Sequence, residues 1–93
     1  SWPDFMKFRP AAIVTLMKID PQGCREYISN WLDPDQTPFW ASRYAALMFI
    51  RPWLSSDGWN SVTASVHLSS KQDPHRFVRA KAKSYFQLAG RQQ

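Results

Sequence analysis

Cysteine occurs once in the 93 residues, at Cys24, so the chain can close no disulfide on itself and has no cysteine cluster to hold a metal. That scarcity fits a reducing compartment and sets the expectation of an intracellular, cytoplasmic protein. The three glycines, Gly23, Gly58 and Gly90, are too scattered to make a phosphate-cradling loop. His67 and His75 are the only histidines, and neither has a carboxylate or a second ligand at metal-binding spacing. Apolar runs are short as well. Residues 45–50 lie between Arg43 and Arg51 and fall far below the roughly 18 residues of a membrane span, so no membrane association is expected. A secretory leader pattern is absent, and the opening at Ser1 without Met suggests a processed product or a piece of something longer. These gaps leave little for catalysis, and the expectation is a non-enzyme without metal or cofactor.

Acid is the last scarcity, and it is local. Residues 1–73 carry seven basic side chains and all seven acidic ones, so the net charge of +5 comes entirely from Arg76, Arg79, Lys81, Lys83 and Arg91. The polyanion-binding hint of a basic protein therefore shrinks to one segment.

What is plentiful is aromatic: five Trp, six Phe and three Tyr. Each large ring fully buried adds about 1.5–3 kcal/mol, enough for one core in a single domain spanning 1–93. Asp20-Pro21, Thr37-Pro38 and Asp73-Pro74 each place an N-cap oxygen before a proline, whose missing N–H costs nothing at the first helical position. These predict helices over 21–32, 38–51 (ended by Pro52) and 74–89 (ended by Gly90). In the first, Cys24, Tyr27, Ile28, Trp31 and Leu32 form a stripe at helical spacing. The second is apolar on most sides and is expected to be the most buried. In the third, Val78, Ala82, Tyr85, Phe86 and Ala89 share a face beside a basic strip of Arg76, Arg79 and Lys83.

Two segments read both ways. Residues 11–19 contain Ile13-Val14-Thr15, which suits a strand as well as a helix. In 61–69, Val62, Ala64, Val66 and Leu68 alternate with polar residues, the period of a half-buried strand. The expected fold is all-α, a short stack of antiparallel helical hairpins pairing 5–18 with 21–32 and 38–51 with 57–69, followed by an unpaired last helix. The alternative is a small α+β sandwich with strands near 11–19 and 61–69.

An internal echo favours the helical form. Arg9 with Ala12 and Leu16, Arg43 with Ala46 and Ile50, and Arg79 with Ala82 and Phe86 share one spacing, the arginines lying 34 and 36 residues apart. Periods in that range mark stacked helical units. With Asp4, Asp35 and Asp73 shortly before these arginines, and Ala11, Ala45 and Ala80 beside them, the pattern resembles a HEAT-like (armadillo-type) helical repeat. That resemblance implies close helix stacking over alanine, and an Asp in an inter-unit turn paired with an Arg of the neighbouring unit.

Function follows as expectation. A helical-hairpin stack suits a non-catalytic protein-interaction module whose groove takes a protein partner. Trp31, Trp40 and Trp59 fall on faces that need a core partner, whereas Trp2 and Trp53 do not and are contact candidates. The alternative is a nucleic-acid-binding domain led by Arg76, Arg79, Lys81 and Lys83, with Arg91 and His75 adding to the field. Unstacked end helices make self-association a further expectation.

Overall fold

The computed structural model describes residues 9–91, the last five of them as backbone only. Five α-helices and one 3-10 turn make up the described chain: α1 (Pro10–Ile19), α2 (Pro21–Leu32), α3 (Trp40–Leu47), the turn Arg51–Trp53, α4 (Asn60–Gln72) and α5 (Arg76–Arg91). No strand occurs among the described residues, so the fold is all-α.

Both ambiguous segments are helical because burial goes by turns and not by alternation. In α1 the buried residues are Ile13 and Met17, four apart. In α4, Val62 and Val66 are buried while Ala64 and Leu68 of the same alternating set are exposed. A strand would have had to bury all four. The β-branched residues are tolerated because tertiary packing outweighs their small helical penalty.

Asp20 joins α1 to α2 in one residue. Its N–H donates to the Leu16 carbonyl at 2.8 Å, closing α1, and its Oδ1 accepts from Gly23 N at 3.0 Å, opening α2. A Cβ at Gly23 would stand 2.1 Å from Asp20 Oδ2, so a larger residue there would push the capping carboxylate aside. The expected stripe of α2 is in place: Cys24, Ile28, Trp31 and Leu32 are buried and Tyr27 is half-buried.

The other two proline starts are displaced. Thr37 does not cap α3, because its hydroxyl donates to the Asn30 carbonyl at 2.9 Å, and the helix opens only at Trp40. At the far end Met48 N bonds Ala45 O, three residues back, and the chain tightens into the 3-10 turn around Pro52. Likewise α5 opens at Arg76. Asp73 Oδ1 accepts from His75 N at 2.9 Å, and His75 Nδ1 accepts from Phe77 N at 3.1 Å, so His75 takes the capping role expected of Asp73. The helix then runs through Gly90, which does not stop it.

Helix α3 is central and lies against α1, α2 and α5, while α4 packs on α2 and most closely on α5. The expected pairing of 38–51 with 57–69 is not among these main contacts; α1 is the chief neighbour of α3. Small residues make the approach possible, with Ala45, Ala46 and Ala82 buried in the common core beside Leu47, Ile50, Val66 and Val78. The three echo arginines differ in setting: Arg9 is exposed, Arg43 buried and Arg79 half-buried.

Candidate functional site

Arg43 and Asp73 fix how α3 meets α5. Arg43 Nε lies 2.8 Å from Asp73 Oδ2 and its Nη2 lies 3.1 Å from Oδ1, a two-pronged pair with both side chains almost wholly buried. Arg43 Nη1 donates to the carbonyls of Thr37 and Pro38, each at 2.9 Å. Arg79 Nη1 adds a bond to the Asp73 carbonyl at 2.7 Å. One guanidinium thus ties the 37–39 segment and the start of α3 to the turn between α4 and α5.

Beyond this knot, α3 and α5 leave an open groove of about 630 Å³. Trp40, Ala41 and Tyr44 line it from α3, and Phe77, Ala80, Lys81 and Ser84 from α5. Trp40 is held from three sides. His75 stacks on it at 4.1 Å between centroids, and Tyr44 and Phe77 meet it in T-shaped contacts at 6.2 and 5.6 Å. Phe77 remains 47% exposed and Phe39, just before α3, 57% exposed. Large rings so exposed beside a groove are the usual material of a contact anchor.

Cations stand on the rings. Arg76 lies 5.1 Å from the Phe77 ring centre, Lys81 5.6 Å from that of Tyr85, and Arg51 5.9 Å from the same Tyr85 ring. The Tyr85 hydroxyl donates to the Leu47 carbonyl, which anchors that ring against the end of α3.

The expected contact residues are dispersed. Trp2 lies outside the described residues. Trp53 is half-buried and stacks on Trp59 at 5.4 Å, away from the groove-lining residues. The nucleic-acid candidates of α5 are also split. Arg79 is turned into the Asp73 carbonyl, Lys81 sits on the α3 side, and Lys83 lines a cleft on the α4 side with His67, Ser70, Lys71 and Phe86. Trp40, expected to need a core partner, packs against the core half-buried and is also a groove wall. Phe77, Tyr44 and Arg51 were not anticipated, although a second stripe was present in the spacing: Phe77, Ala80, Lys81 and Ser84 follow i, i+3, i+4, i+7.

Among the described residues no three His, Cys, Asp or Glu side chains converge as a metal site, and no helix is long and apolar enough to cross a membrane. Cys24 is fully buried, and desolvation, with a smaller contribution from Asp20, pushes its thiol up to about 11. Burial likewise raises Tyr85 to about 12; Arg51 pulls it down and Tyr44 adds to the rise. Both acids hold their proton longer folded than unfolded, so their stabilising effect is complete below the unfolded pKa and is lost as pH rises through the folded one. Urea midpoints are expected to fall from about pH 9 to 11 on account of Cys24 and from about pH 10 to 12 on account of Tyr85. Cys24→Ala should flatten the first part of that decline; an unchanged slope between about pH 9 and 10 would exclude Cys24 as its source.

Compared with known proteins, the chain matches no family model, no curated protein and no solved structure.

Proposed function

We propose that this chain is a non-catalytic protein-interaction module, a short HEAT-like stack whose α3–α5 groove receives a segment of a partner protein. The observation that carries this reading is the groove itself: a wall of Trp40, Tyr44 and Phe77 over a floor of Ala41 and Ala80, with Phe77 half in solvent. Alanine keeps the floor low enough for a side chain to enter, and the rings supply apolar area at little entropic cost. The buried Arg43–Asp73 pair holds the two walls in register and supports the kinship of successive units.

The nucleic-acid alternative has less to support it. Phosphates are read by cations arrayed along one face, and here Arg79 is engaged with backbone while Lys81 and Lys83 belong to different clefts. Bases also need a free ring face, whereas Trp40 is already stacked by His75.

The test is selection of short peptides from a random displayed library, followed by amide-shift mapping on the labelled protein. Selected peptides are expected to shift Ala41, Tyr44, Ala80 and Ser84, and to lose at least about tenfold in affinity on Phe77→Ser. No enrichment, or shifts confined to α2 and α4, would overturn the reading.

A further inference from the structure

Building on the groove reading, we infer that the occupant is an acidic segment, an apolar side chain flanked by carboxylates, and that Arg51, Lys81 and Arg76 read its charge. Among the described residues none of these three cations has a carboxylate within ion-pair distance; the pair that is present, Arg43–Asp73, is buried and complete. No acidic side chain lines the groove, and α5 has none in its first turn. Of the three cations Lys81 lines the groove, while Arg76 stands on the Phe77 ring and Arg51 on Tyr85 beside it; each is held on a ring face, a weak hold that keeps it positioned yet available.

Their placement sets the pattern they would read. Arg76 stands on Phe77 at one end of the groove, and Lys81 with Arg51 converges on Tyr85 towards the other. Along α5 the step from residue 76 to 81 is about 7.5 Å. A carboxylate on each side of an apolar anchor seated in the groove over Ala41 and Ala80, beside the Trp40–Phe77 contact, meets both ends. A carboxylate arriving at either end exchanges a cation–ring contact for a charge-assisted hydrogen bond, the stronger interaction. The hydroxyl bond from Tyr85 to Leu47 keeps the ring under Lys81 and Arg51 in place while this happens.

Three fluorescein-labelled probes test this by anisotropy at about 50 and 300 mM salt. One is a peptide with a leucine–tryptophan–leucine core and two glutamates on either side. The second is the same peptide with glutamine for every glutamate, and the third is an oligothymidylate. The acidic peptide is expected to bind about tenfold tighter than its glutamine twin at low salt, with the gap narrowing at high salt. In Arg51→Gln/Lys81→Gln the gap between the two peptides should shrink, with Arg76→Gln added they should bind alike, and in Phe77→Ser both should weaken, with circular dichroism melts confirming that each variant folds. Equal binding of the two peptides to the wild-type protein would overturn the acidic occupant and leave the groove reading standing. So would oligothymidylate binding that matches or exceeds the acidic peptide and is lost in the same variants, which would assign these cations to phosphate. Failure of both peptides to bind would overturn the inference, and the shift map of selected peptides would then judge the groove independently.

Discussion

Arg43→Met is expected to destabilise the protein by about 3–5 kcal/mol, because it strands the buried Asp73 carboxylate with little more than the His75 N–H for company. Asp73→Leu should cost a similar amount by leaving a buried guanidinium with only the Thr37 and Pro38 carbonyls. In a domain of this size about 3 kcal/mol lowers the melting temperature by at least about 12 °C. The double variant is the informative one. With both charges gone, the penalty of an unpaired buried charge disappears. What remains is chiefly the Thr37 carbonyl, about 1–3 kcal/mol, because the Pro38 carbonyl and the His75 N–H that also lose partners are only part-buried. Urea unfolding of all four proteins should therefore show strong non-additivity, the double variant being more stable than either single one. Single variants within about 1 kcal/mol of wild type would show that the pair does not hold the start of α3 to the start of α5. The groove should follow the same loss, because Trp40 lies three residues from Arg43 and Phe77 four from Asp73.

Trp59 carries the second large effect. It is fully buried at the N-cap of α4, and stacks on Trp53, yet its indole N–H finds no partner among the described residues. Trp59→Ala should cost about 3–5 kcal/mol through the cavity it leaves. Trp59→Phe should cost far less, below about 1.5 kcal/mol, because it keeps a ring against Trp53 and removes a buried donor whose desolvation is uncompensated. The contrast between the two is the check. A phenylalanine variant as unstable as the alanine one would show that a six-membered ring does not replace the indole's packing against Trp53.

Both predictions depend on groups that the linear sequence presents misleadingly. Thr37-Pro38 and Asp73-Pro74 have the composition of helix starts, and at Asp20-Pro21 the same composition does open a helix at once. The difference lies in competition for the cap. Asp20 has only its own helix to serve, whereas the Thr37 hydroxyl is taken by Asn30, and the Asp73 carboxylate by Arg43 as well as by the His75 N–H. A capping rule sees the donor and acceptor nearby in sequence and cannot see a guanidinium arriving from 30 residues away. The split of the basic strip has the same origin. Arg76, Arg79 and Lys83 share a helical neighbourhood, but which of them meets α3, α4 or a backbone carbonyl depends on how α5 is rotated against its neighbouring helices. The alternation in 61–69 misleads in another way, since Ala64 and Leu68 face solvent without harm and only Val62 and Val66 reveal the true period.

By itself the sequence determined the helices that carry their own signals: the capped start and apolar stripe of α2, the interior of α3 and α5, and the confinement of excess positive charge to the segment after Asp73. These are decided by contacts within one or two turns, which periodicity and capping report directly. Only the tertiary structure decided that 11–19 and 61–69 are helices, where α3 and α5 begin, and that Trp40 and Phe77 line a groove. Those outcomes turn on which distant partner claims a buried polar group or covers an apolar face, and that choice is made when the helices come together.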